Sequence, residues 1–296
     1  MSGWTLIGAP LDSAGAGEGE ERAPAALRSA GIAVAVGAVE DLGDVTGVLR
    51  PAERDPDSGV IAHAAVLAAS LALREAVARV VRGGRRPLVL GGDCTLLPGA
   101  LAGCRHAGIA PGLWMVDGHP DALDGTTSPT GEAADMDFAI VCGHGPRALV
   151  ELGAPAAQPP LVEPARTVVL GLRPRGVDPA GDDDLDGIDP AVWLRDAPGI
   201  VAEGPALVGL QAAARLQSDP VWLHLDLDVL DASVMPAVSY PQPYGLGWEE
   251  LEELLVPLAA APTLVGCSVS DLQADADTDG TVARRVVELV GRVLPR

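Results

Sequence analysis

The chain contains no lysine; apart from five histidines, every basic side chain is an arginine. That absence removes Schiff-base catalysis and any lysine clamp on phosphate. Aromatic residues are scarce, with a single phenylalanine and two tyrosines among 296 residues, so a core must be assembled mainly from Val, Leu, Ile and Ala. The cysteines Cys94, Cys104, Cys142 and Cys267 stand singly, without a CxxC pair or a disulfide-like spacing. No uninterrupted apolar stretch reaches the roughly 20 residues that cross a bilayer. The start, Met1-Ser2-Gly3-Trp4, lacks the basic and apolar segments of a signal peptide. A reduced, cytoplasmic protein without a membrane partner is expected. Also missing are a GxSxG nucleophile elbow and a GxGxxG turn, which argues against a serine hydrolase and a dinucleotide site.

What is abundant is negative charge, a formal −21. Nucleic-acid binding needs a basic face, so that partner is excluded, whereas a small cation or a metal ion is compatible. Short apolar runs alternate with helical patterns. Strands are expected at Trp4–Gly8, Ala33–Val36, Pro87–Leu90, Leu113–Val116, Thr167–Leu170, Val221–Leu225 and Leu264–Val269. Helices are expected at Val60–Arg82, Leu97–Ala107, Trp248–Ala259 and Val282–Leu294. Alternation of this kind implies βαβ units and a three-layer α/β/α domain around a mostly parallel sheet, here one domain over residues 1–296. The run Asp182-Asp183-Asp184 fits a solvated loop, since no EF-hand pattern surrounds it.

Two distant segments are built alike. Asp117-Gly118-His119-Pro120-Asp121 follows one apolar run and Asp226-Leu227-Asp228 another. On a strand, residues i and i+2 share a face, so adjacent strands ending this way aim carboxylates and an imidazole at one point. Such a charge density calls for a cation, and the mixture of hard oxygen with nitrogen suits a metal centre, with two ions the natural count. Gly91-Gly92-Asp93-Cys94 supplies a third candidate strand end. Ligands of parallel sheets gather outside the carboxyl ends of the strands, where these motifs fall.

Together these residues resemble the ureohydrolase superfamily of arginase, agmatinase and formimidoylglutamase. The resemblance runs in order through Gly8-Ala9-Pro10-Leu11-Asp12, Arg22 to Arg28, Asp41-Leu42-Gly43-Asp44-Val45, Gly91 to Thr95, Asp117 to Asp121, Ser128 to Glu132, Gly171-Leu172-Arg173 and His224 to Asp231. It implies an arginase-like fold and two Mn²⁺ ions that lower the pKa of a shared water. By position, Asp117 and Asp226 would bridge the ions, His119 and Asp228 would complete one shell, and Asp121 and Cys94 would serve the other. A homo-oligomer, trimer or hexamer, is also implied.

Several positions depart from the family pattern. Cys94 stands where the family has histidine. As a thiolate it would favour Zn or Fe or weaken that site; alternatively it is a buried inert thiol. Ala134 replaces the loop histidine of the Gly-Asn-x-His-Gly motif, and Glu132 replaces its asparagine, which disfavours a substrate carboxylate. His144 is nearby in sequence but fits a Gly-flanked loop better than a catalytic site, so the proton-transfer group is left unassigned. Asp271 matches the late family glutamate that pairs with the guanidinium, and Asp178 and Thr130 are further substrate-contact candidates. The expected activity is metal-dependent hydrolysis of a C–N bond in a small cationic guanidino or amidino compound, for instance of N-hydroxyarginine type. A non-catalytic relative with a degenerate metal site is the alternative.

Overall fold

A computed structural model describes residues 1, 3–154, 159–177 and 179–294. Eight strands form one sheet: β1 (Trp4–Ala9), β2 (Glu40–Asp44), β3 (Arg86–Gly91), β4 (Gly112–Val116), β5 (Thr167–Leu172), β6 (Trp193–Asp196), β7 (Val221–Asp226) and β8 (Leu264–Ser270). Their order is β2-β1-β3-β8-β7-β4-β5-β6. Every pairing within the sheet is parallel, a stricter arrangement than the mostly parallel sheet expected.

Alternation along the strands builds the layers. Trp4, Leu6, Leu88, Leu90, Trp114 and Leu223 point to one face, where they meet the helices Pro205–Arg215, Trp248–Ala259 and Thr281–Val293. Ile7, Val89, Leu113, Met115 and Trp222 point to the other, against the helices His63–Arg82 and Leu96–His106. Both faces are therefore apolar, as buried parallel sheets require. The indole N–H groups of Trp114 and Trp222 are satisfied inside this core, by Ala212 O at 3.2 Å and Ser268 Oγ at 2.9 Å.

The expected strand at Ala33–Val36 is instead part of a short helix, Ile32–Ala35. The true second strand is Glu40–Asp44, within the segment that carries the Asp-x-Gly-Asp motif. It lies at the sheet edge with Glu40, Asp41 and Asp44 exposed, and Arg85 and Arg28 pair with those acids. With no buried alternation, it carries no periodic signal. The long helix begins at His63 rather than Val60, because Ala62 takes a left-handed φ of 52° that no helix can continue through. Strand β6 and the helices Ala197–Glu203 and Pro205–Arg215 were not expected. The acidic run expected in a loop lies in the helix Pro179–Leu185, with Asp184 buried.

The four neighbouring strands β3, β8, β7 and β4 end together. Cys94, Asp271, Asp226 and Asp117 lie at or just past those carboxyl ends. At the end of β3, Gly92 N donates to Ala9 O at 2.9 Å, and Asp93 N donates to Leu11 O at 3.0 Å. The β1 loop runs so close that a Cβ on Gly92 would stand 1.7 Å from Leu11 O. The glycine is demanded by backbone crossing backbone.

Candidate metal centre and substrate cavity

The acidic motifs converge through turns as much as through strand alternation. Only Asp226 is still in a strand; Leu227–Val229 is a 3₁₀ turn in which Asp228 N donates to Asp226 Oδ1 at 2.9 Å. Asp117 follows β4, and His119 N donates to its Oδ1 at 2.7 Å. Asp121 adopts φ 47° and Asp271 φ 63°, left-handed conformations unusual for aspartate and held by the surrounding structure. The pleat thus delivers the chain to the right place, and the loops aim the carboxylates.

Asp117, His119 and Asp228 form one group whose ligand atoms all lie within 4.8 Å of one another; Asp226, Asp228 and Asp271 form another. A third joins Asp117 and Asp226 to His224, and a fourth joins Cys94, Asp121 and Asp137. All six sequence-selected ligand candidates therefore fall in these groups. Three members fall outside those six: Asp271, expected as a substrate contact, and His224 and Asp137, to which the sequence assigns no role. His224 looked like part of an apolar run, and its Nδ1 is 2.8 Å from Ser268 Oγ. Ser270, next to it, donates from Oγ to Asp226 Oδ2 at 2.8 Å.

Polar contacts fix the remaining ligand candidates. His119 Nδ1 is 2.5 Å from Asp228 Oδ2, and Nε2 is 3.2 Å from Gln242 Oε1. Gly118 N donates to Asp228 Oδ1 at 3.0 Å. Buried Arg173, from the Gly-Leu-Arg motif, donates to the carbonyl oxygens of Asp228 and Leu230 at 2.5 and 3.0 Å. It clamps the loop that carries the acid rather than the acid itself.

Electrostatically the cluster is under strong tension. Burial, reinforced by neighbouring carboxylates, pushes Asp117, Asp121, Asp137, Asp226 and Asp271 well above the usual carboxylate range. Asp228 goes the other way: burial opposes its charge, but His119 and then Arg173 outweigh it. Asp117 Oδ2 and both carboxylate oxygens of Asp137 are buried without a hydrogen-bond partner. Buried polar atoms almost always have partners, and unpaired buried carboxylates are costly. The donor set and these orphaned oxygens fit divalent cations. Cys94 is buried, its thiol sits 3.3 Å from Ala134 O, and burial followed by Asp137 and Asp121 pushes its pKa well up. That surrounding is the opposite of the electropositive one that activates a cysteine nucleophile.

A cavity of about 530 Å³ opens over these groups. Asp12, Glu18, Glu20, Glu132, Asp135 and Asp184 add acids to its wall, and among the described residues no arginine lines it. Asp271 lies in this wall, and its Oδ1 accepts from Ser239 Oγ at 2.6 Å. Thr130 also lines it, with its hydroxyl turned to Asp135 Oδ2. Asp178 lies outside the described residues. His144 is exposed and is not among the cavity residues. Glu20, unselected from sequence because it lies in a glycine-rich loop, is pushed up to about 8 by burial and then by Asp93. Burial, then Asp135, pushes Glu132 to about 7.

The Arginase family model matches residues 2–294. An arginase of Bacillus caldovelox is 29% identical over 292 residues, covering 97% of this chain and 96% of that protein. A solved structure of arginase from Bacillus caldovelox, also 29% identical, aligns over 100% of this chain and 99% of that chain with a TM-score of 0.89. Formimidoylglutamase from Bacillus subtilis, at 19% identity, shares the fold with a TM-score of 0.76 over 99% of this chain and 86% of that one.

Proposed function

Given that the chain belongs to the arginase family of metal-dependent hydrolases acting on amidine C–N bonds, we propose that it is a binuclear amidinohydrolase. Its substrate in this reading is a guanidino cation whose far end carries an amine or a neutral group rather than a free carboxylate. The observation that carries the reading is the cavity wall, rich in acids and, among the described residues, without a single arginine. A carboxylate tail would face Glu132, Glu18 and Asp12 and be repelled, whereas a cationic tail gains from each of them. This departs from the expectation of an N-hydroxyarginine-type substrate, which retains an amino-acid carboxylate.

Asp117, Asp226, His119, Asp228, Asp121 and Cys94 would together hold two ions, His119 and Asp228 on one side and Asp121 and Cys94 on the other. Mn²⁺ is the proposed metal for the imidazole side. Bound there, two divalent ions lower the pKa of a shared water and so supply a nucleophile at neutral pH. The chain's own residues do the rest. Asp271, held by Ser239, offers its carboxylate to the planar guanidinium and fixes its orientation. Gln242 Oε1 lies 3.2 Å from His119 Nε2 and would orient the imidazole from that side, leaving Nδ1, now beside Asp228, to turn to an ion. Thr130 orders the Asp135 turn beside the entrance, and Asp178 remains a proposed substrate contact.

A urea-release screen over guanidino compounds, with the protein fully loaded with metal, tests the reading. Turnover is expected with amine-tailed or neutral-tailed compounds and to be much weaker with carboxylate-tailed ones. No urea from any guanidino compound at full loading would overturn it.

A further inference from the structure

The segment 133–141 brings to the site an acid that none of the family motifs contains. Asp137 begins the helix Asp137–Val141 and is completely buried. Both its carboxylate oxygens lack a hydrogen-bond partner. With Cys94 Sγ and an Asp121 oxygen it forms a group whose atoms are all within 4.8 Å of one another.

This placement is fixed from both sides. Before Asp137, Ala134 O receives the Cys94 thiol at 3.3 Å. After it, Ala139 N donates to Asp121 O at 3.2 Å. The segment is therefore tied to both of the other members of the group, one on each flank of Asp137. The Phe138 backbone N–H eases the charge without reaching hydrogen-bond geometry, and a buried carboxylate so poorly compensated is costly for a fold to retain. The side chain that would normally be avoided here is aimed into a space already bordered by a thiol and a second carboxylate.

We propose that Asp137 is a metal ligand, which with Cys94 and Asp121 forms a thiolate–dicarboxylate shell for one of the two ions. It makes up for the imidazole that Cys94 replaces. The inference rests on the binuclear reading above and adds a ligand to it. One sulfur and two hard oxygens suit Zn²⁺, Fe²⁺ or Co²⁺ better than Mn²⁺, so the two positions differ in metal preference.

The test uses Co²⁺ as probe, added to chelator-treated full-length protein, with cobalt equivalents and the thiolate-to-cobalt absorption band as readouts. Wild type is expected to take up two equivalents and show the band. Asp137→Asn should bind one of the two ions about 10–100-fold more weakly with the band lost or shifted, while the other ion is held as in wild type. Asp137→Glu, which keeps the carboxylate, should retain the second equivalent. Metal-free Asp137→Asn should melt no lower than metal-free wild type, since a purely structural carboxylate would lower it. Two wild-type-affinity ions and an unchanged band in Asp137→Asn would overturn the Asp137 assignment alone. A wild type that takes up no cobalt would overturn the binuclear reading and this inference with it.

Discussion

His119 Nδ1 lies 2.5 Å from Asp228 Oδ2 although the two residues are 109 positions apart in sequence. The contact joins the end of β4 to the turn after β7, and it is made possible by the direct pairing of those strands. Each partner neutralises the other in a site otherwise crowded with carboxylates. In chelated protein, His119→Ala should cost about 3 kcal/mol, because it strands a buried charge. A double-mutant cycle with Asp228→Asn, followed by urea denaturation, should return a coupling of about 1 kcal/mol or more. Additive effects would show that the pair does not act as a unit.

Glu132 gives the substrate reading a pH signature. With its pKa raised to about 7, it is partly protonated in the free protein at neutral pH, and a cationic tail binds the ionised form. KM for an amine-tailed substrate should therefore fall as pH rises through 7, by about tenfold between pH 6 and 8 for a single such group. In Glu132→Gln the dependence should weaken below pH 7, and what remains toward pH 8 belongs to Glu20, which is pushed up to about 8 in the same wall. A carboxylate-tailed compound should show the reverse trend.

Arg173 is predicted to act on the site through the backbone. Arg173→Met leaves the Asp228 and Leu230 carbonyls without their donor, at a cost of about 2–4 kcal/mol in stability. The turn carrying Asp228 should loosen, so metal content should fall together with Tm. Calorimetry and metal analysis on the same sample check both, and a lowered Tm with full metal content would contradict the clamp.

Gly92→Ala should fail to fold or lose more than about 3 kcal/mol, since its Cβ would collide with backbone at Leu11 O rather than with a movable side chain. Gly47→Ala meets nothing within 4 Å and needs no left-handed φ, so it serves as the neutral control. Soluble expression and thermal denaturation compare the two directly.

Most of the sheet could be read from the chain because interior parallel strands are short continuous apolar runs, and their burial leaves a local mark. Edge strand β2 left none: its acids face solvent, and its identity depends on pairing with β1. The four apolar residues Ala33–Val36 were compatible with either structure. The neighbouring C-terminal helix packs against part of this segment, with Gly291 so close to Ala35 that an added Cβ would be 2.8 Å away, while Val34 stays exposed.

At the site, spacing alone singled out Asp117, His119, Asp121, Asp226 and Asp228, since two strand ends carrying acids imply a shared point. Cys94 needed the motif order as well. Sequence by itself thus determined which strands carry the charge and, through the missing lysine and the excess of acids, which chemistries were closed to it. Only the tertiary structure decided that Asp137, Glu20, Gln242 and Arg173 belong to that point. Asp137, Glu20 and Gln242 lie at no strand end. Arg173 follows β5 directly in its Gly-Leu-Arg motif, but its role as a clamp on the Asp228 turn shows only in the packing of segments distant in the chain. Burial then turns these ordinary side chains into a cluster whose charge has to be balanced.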